Sequence, residues 1–235
     1  MHEHISSAYD RDLEQITTLV MKMGGLVEEA ILKAANSLAN RDLEMAEEVR
    51  SGDKVIDALE IQINEEAART IALRAPVSKD LRSLLTVLRL AASLERIGDY
   101  AKNIAKRTSV LVEMNPVSGA DAALRRMARE VERMLKDTLD AYVRGDAVLA
   151  EDVRQRDEEV DQMYNALFRE FLTFMMEDPR NITSCMHLHF MAKNIERMGD
   201  LTTNMAEQVI YLVTGEMPEE ARPKGDKTAF AVTPS

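Results

Sequence analysis

The chain is poor in the residues that build loops and cross-links: its 235 residues include one cysteine, nine glycines, six prolines and no tryptophan. With Cys185 alone, no disulfide can form within the chain, so the simplest expectation is a reducing compartment, the cytoplasm, and a thiol that serves as a small buried apolar residue. Glycine and proline together make up about 6% of the sequence, against about 12% in an ordinary protein. That argues against turn-rich β-sandwiches and barrels. No apolar run approaches the roughly 18 residues that a membrane span needs. The segment 1–12 carries charges and no apolar stretch, so a secretory signal is not expected either. Basic residues are also outnumbered, 30 against 41 acidic ones, for a net charge of −11 and a pI of about 5.0. An acidic chain is a poor partner for phosphodiester backbones, and nucleic acid is not expected as a ligand.

What the chain does have is alanine, leucine, methionine, glutamate and arginine, the residues that long helices prefer. Apolar side chains at Leu13, Ile16, Val20, Met23, Val27, Ile31 and Leu38 recur at helical spacing and predict a first helix over about 6–39. Asp42 offers a cap for a second helix reaching about Leu73, which Pro76 ends because proline cannot continue the hydrogen-bond ladder. A third helix is expected over about 78–112, before Asn115-Pro116-Val117-Ser118-Gly119. The order then starts again, with helices over about 121–143, up to about 177, and from about 181 to 214, and with Pro179 in the place of Pro76.

The repetition extends to the residues themselves. Glu95-Arg96-Ile97-Gly98-Asp99 returns as Glu196-Arg197-Met198-Gly199-Asp200, at an offset of 101. Upstream, Asp42, Ala46, Val49, Arg50, Asp53 and Asp57 return as Asp146, Ala150, Val153, Arg154, Asp157 and Asp161, at an offset of 104. An internal duplication explains both offsets, with a loop absorbing the difference. The expected fold is therefore all-α, two tandem three-helix bundles over 1–115 and 116–214. The segment 215–235 holds three of the six prolines and little periodicity, and is expected to be a disordered tail.

Each unit carries a carboxylate pair on its second helix, Asp53/Asp57 and Asp157/Asp161, and another on its third, Glu95/Asp99 and Glu196/Asp200. Residues i and i+4 lie on one helix face about 6 Å apart along the axis. Like charges at that spacing weaken a helix unless a counter-ion neutralises them. Two such pairs on neighbouring helices offer an all-oxygen donor set suited to Mg²⁺, Mn²⁺ or iron. Acidic pairs also sit on plain solvated faces, as Asp10/Glu14 and Glu44/Glu48 are expected to. The duplication favours the cation reading, since both copies keep an acid at all four places.

On the third helix the core stripe is Val87, Leu90, Leu94, Ile97, Ala101, Ile104 and Leu111. The carboxylates lie nearly opposite, on a stripe with Leu81, Leu85, Leu88 and Ala92, so the face from Leu81 to Asp99 is either a partner surface or a row covered by the protein's own helices or a second subunit. His189 takes the place of Leu88 in the second unit, and is either a further ligand near Glu196 or a packed side chain. Gly98 and Gly199 inside helices predict close approach by another helix or by a bound ion. Arg96 and Arg197 are expected in surface salt bridges or at an anion.

Enzyme signatures are lacking. The sequence has no Gly-x-x-x-x-Gly-Lys-Ser/Thr or Gly-x-Gly-x-x-Gly loop. None of its four histidines has a glutamate three residues earlier, as ferritin-like oxidases require.

Three segments together resemble the PhoU family of phosphate-uptake regulators. They are the doubled Glu-Arg-Ile/Met-Gly-Asp with an asparagine four residues on, the stretch Arg74-Ala75-Pro76-Val77-Ser78-Lys79-Asp80-Leu81-Arg82, and the opening Met23-Gly24-Gly25-Leu26-Val27-Glu28. The resemblance spans residues 5 to about 214. It implies a non-enzymatic cytoplasmic adaptor of two three-helix bundles, expected to form a homodimer, that represses the phosphate-starvation response and modulates phosphate uptake. The implied partners are the phosphate ABC transporter's ATPase and a phosphate-sensing membrane histidine kinase, so that the chain reaches a membrane only through partners. It also implies metal clusters of iron, manganese, zinc or magnesium on Asp53, Asp57, Glu95, Asp99, Asp157, Asp161, Glu196 and Asp200. One departure is Pro179-Arg180-Asn181-Ile182-Thr183, which replaces the first unit's Pro and Asp-Leu-Arg segment. The competing expectation is a helical carboxylate protein for metal storage or Fe²⁺ oxidation, and a plain helical spacer is the third.

Overall fold

The computed structural model describes residues 2–218, with side chains from residue 8 onward; among them there is no strand. The helices are α1 (His2–Asn40), α2 (Leu43–Arg74), α3 (Lys79–Leu111), α4 (Ala120–Arg144), α5 (Ala147–Glu177) and α6 (Ile182–Thr214). A 3₁₀ turn, Pro179–Asn181, leads into α6. The all-α expectation holds, and the main difference is at the start, where α1 begins at His2 rather than near Ser6. Of the segment 215–235 expected to form a tail, residues 215–218 follow α6 and the rest lie outside the described residues.

The repeat is visible in the caps. Asp42 accepts a hydrogen bond from the Met45 amide at 2.9 Å, and Asp146 accepts from the amides of Val148 and Leu149 at 3.0 Å. Each cap satisfies amides that have no partner inside the helix, which contributes about 1 kcal/mol. At the other end of α2, Ala75 turns left-handed with φ +46° just before Pro76.

Helices α1, α2 and α3 pack on one another, as do α4, α5 and α6. The two sets also meet, α1 against α4 and α3 against α6, and their buried side chains form one continuous core. The whole predicted core stripe of α3 is buried in it. Fully burying each such aliphatic side chain contributes about 1.5–3 kcal/mol. Polar links also join the sets: Thr17 to Tyr142 at 3.3 Å, Arg89 to Gln208 at 2.5 Å and Arg107 to His187 at 3.2 Å. The division expected at residue 115 falls in the non-helical connection between α3 and α4. None of the described helices is long and apolar enough to cross a membrane.

Candidate functional site: two carboxylate clusters

Close approach of α2 and α3 positions the first cluster. Gly98 has no side chain to hold the helices apart, and a Cβ there would lie 3.8 Å from Asp53 Oδ1. The duplicate arrangement is in α5 and α6, where a Cβ on Gly199 would lie 3.3 Å from Val160 Cγ1 and 3.6 Å from Asp157 Oδ1. Both aspartates are only 2% exposed. The glycines thus serve helix packing, and the aspartates are drawn into the interface beside them.

Around Asp53 the structure gathers Asp57, Glu95 and Asp99, and electrostatics records their proximity. Burial raises the Asp57 carboxyl above its ordinary value; Asp53, Asp99 and Glu60 push the same way, and Lys102 opposes them. Burial likewise raises Glu95, reinforced by Asp99, Asp57, Glu60 and Asp53. In the second cluster Glu196 is 5% exposed and raised by burial, with Lys193 opposing and Asp200 and Asp161 reinforcing. Each set of four predicted residues therefore shares one neighbourhood on two adjacent helices. Asp10, Glu14 and Glu44 are exposed, and exposed Glu48 pairs with Lys33 at 2.8 Å.

Each cluster contains a lysine ammonium. Lys102 Nζ donates to Asp53 Oδ2 and, at 3.3 Å, to Asp99 Oδ1. Lys193 Nζ donates to Glu196 Oε1 at 2.8 Å and lies 4.8 Å from the centre of the Tyr164 ring. The other oxygens of these two buried carboxylates, Asp53 Oδ1 and Glu196 Oε2, have no hydrogen-bond partner. A buried carboxylate oxygen without a donor is costly, and it is the kind of donor atom a hard cation takes. The donor chemistry therefore fits a cation. Even so, among the described residues no three histidine, cysteine or carboxylate side chains are drawn close enough to hold one ion.

Three participants were given no role by the sequence reading: Glu60, Lys102 and Lys193. Their spacing was a usable signal, since Glu60 lies three residues after Asp57, Lys102 three after Asp99 and Lys193 three before Glu196. His189 stacks on Tyr164 at 5.9 Å and packs against Phe168 and Phe190, with its Nδ1 buried and unpartnered. Burial and then Lys193 hold its pKa below the ordinary value, which keeps the ring neutral. Arg197 lies over the Tyr100 ring at 6.0 Å. Cys185 is buried and its thiol is pushed up by that burial, which leaves it inert. On the α3 row Leu85 is 42% exposed while Leu81 and Leu88 are half-buried.

The PhoU domain family model matches the chain twice, over residues 20–108 and 124–209. The chain is 45% identical over 228 residues to a phosphate-specific transport system accessory protein PhoU homolog of Rhizobium meliloti, covering 97% of this chain and 96% of that protein. A homolog of the same description from Caulobacter vibrioides is 46% identical over 226 residues, covering 96% and 98%. The crystal structure of PhoU from Pseudomonas aeruginosa superposes with a TM-score of 0.86 at 38% identity, covering 88% of this chain and all of that one. The phosphate transport system regulatory protein PhoU from Streptococcus pneumoniae superposes at 0.83 and 32% identity, covering 90% and 100%.

Proposed function

Because the chain belongs to the PhoU family, we propose that it is a non-catalytic cytoplasmic adaptor of a phosphate-specific transport system that represses the phosphate-starvation response. In this reading it docks on the transporter's ATPase and on a membrane sensor histidine kinase, and works as a homodimer. The observation that carries the reading is the end-to-end likeness to accessory proteins of such systems, at 45% identity over 97% of the chain. A chain with net charge −11 and no described helix fit to cross a bilayer suits a component that reaches the membrane by docking.

The two clusters suit metal ions as part of that adaptor. Asp53, Asp57, Glu95 and Asp99 would hold one set, and Asp157, Asp161, Glu196 and Asp200 the other. A bound cation would supply the positive charge that lets buried carboxylates remain ionised at neutral pH. The chain's own residues do the rest: the glycine-lined contacts of α2 with α3 and of α5 with α6 bring the acids of neighbouring helices together.

Deleting the gene in a strain carrying a phosphate-starvation reporter tests the adaptor role. Derepression in high phosphate is expected. A reporter that stays off would overturn the reading, and purified protein that oxidised Fe²⁺ catalytically would favour the oxidase alternative.

A further inference from the structure

We propose that Lys102 and Lys193 are resident counter-cations that close the two carboxylate clusters and withdraw when a metal ion enters. The inference rests on the metal reading above and adds the element that reading lacks, a group already standing where the charge of the ion is needed. In each unit one buried carboxylate gives one oxygen to an ammonium and leaves the other without a donor: Asp53 with Lys102, and Glu196 with Lys193. An ammonium is a single charge with tetrahedral donors and reaches one side of such a cluster. The unpartnered second oxygen is what remains for a larger demand.

The register of the two lysines shows that the arrangement is not a relic of duplication. The position matching Lys102 in the second unit is Thr203, whose hydroxyl donates to the Gly199 carbonyl within its own helix at 3.0 Å. The position matching Lys193 in the first unit is Ala92. Each unit therefore supplies its ammonium from a different turn of its third helix, one turn after the Asp in one case and one turn before the Glu in the other. Two independent placements of an ammonium, beside buried Asp53 in one unit and beside buried Glu196, which is not its counterpart, in the other, point to a shared requirement, neutralising the cluster when no metal is bound. Without it, buried like charges would repel and the unfilled cluster would weaken the helix pair.

Lysine suits a removable plug. Its charge is compact and sits on a flexible four-carbon stem, so it can swing to solvent without moving the backbone. Both lysines are half-buried, their side chains 28% and 29% exposed. The surroundings differ, however. Lys102 bridges α2 and α3 through Asp53 and Asp99, in a cluster enriched by Glu60, whereas Lys193 lies over Tyr164, the residue in the place of Glu60. The two sites should accordingly exchange lysine for metal with different affinities.

Mn²⁺ titration of the chelator-stripped full chain by calorimetry tests this. Lys102→Met and Lys193→Met should each tighten Mn²⁺ binding about tenfold at one class of site, the scale of removing a competing hydrogen bond to a charged group. Lys106→Met, which removes an exposed charge one turn beyond Lys102, should change affinity less than about twofold by the weakness of exposed charge pairs. In unaltered protein, an amine-acylating reagent read by mass spectrometry should label Lys102 and Lys193 faster in saturating Mn²⁺, with exposed Lys54 unchanged. This arm decides alone if a variant fails to fold. Equal affinity in wild type and both lysine variants, an equal gain from Lys106→Met, or labelling that does not rise with Mn²⁺ overturns the plug and leaves the metal reading standing. Absence of Mn²⁺ binding in wild type and variants alike overturns both.

Discussion

Gly98 on α3 faces Ile56 on α2 so closely that a Cβ at position 98 would lie 3.1 Å from the isoleucine Cδ1 and 3.3 Å from its Cγ2. Both residues are buried, so Gly98→Ala sets a gain in helix propensity of about 1 kcal/mol against an overpacking cost of about 1–3 kcal/mol. Overpacking should win, lowering the melting temperature by about 3 °C. Gly52, also in α2, has nothing within 4 Å of an added Cβ, and Gly52→Ala should stabilise by about 0.5–1 kcal/mol. Thermal melts of the two variants should move in opposite directions.

Neighbouring leucines on α3 should likewise respond oppositely. Leu84 is 0% exposed, and Leu84→Ala should cost about 2–5 kcal/mol. Leu85 is 42% exposed, so Leu85→Glu should keep the fold by circular dichroism. If the Leu81–Asp99 face serves docking, the same variant should lose capture of the transporter ATPase. Full capture would show that this row is not the contact.

The pair Arg107–His187 predicts an acid-side loss of stability. The guanidinium donates to Nδ1 at 3.2 Å, and burial together with Arg107 holds the His187 pKa below its ordinary 6.5. The unfolded chain therefore binds a proton that the folded one resists. Stability from this group is complete above about 6.5 and falls as pH drops through that value toward the lower folded pKa. His187→Gln keeps an acceptor but does not titrate. Its melting temperature should fall less than that of the wild type between pH 7 and 5.5; parallel curves would contradict the assignment.

Metal removal gives the fourth prediction. If the clusters hold ions in gently purified protein, a chelator should lower the melting temperature, and Asp99→Asn combined with Asp200→Asn should reduce bound metal in elemental analysis. The chelator effect should be moderate rather than unfolding, because Lys102 and Lys193 supply replacement charge. No metal in the wild type and no chelator effect would overturn the metal reading and leave Asp53 and Glu196 as the ion-pair partners of Lys102 and Lys193.

The six helices, their breaks and the doubling are legible in the amino-acid order, because they depend on local chemistry: caps at Asp42 and Asp146, Pro76 and Pro179, and apolar spacing along each helix. So is the set of acids that share a helix face, since i and i+4 spacing needs no partner to define it. The depth of each acid, by contrast, is set by tertiary packing. Asp53 and Asp157 are buried because Gly98 and Gly199 let neighbouring helices close on them, while Asp57 and Asp99 on the same faces stay half-exposed. Packing alone joined α1 to α4 and α3 to α6 in one core, since amphipathic stripes record that a face is covered and not by which helix. And it alone put Lys102 against Asp53: the two residues are 49 positions apart, and their meeting depends on the register between α2 and α3, which side-chain packing sets.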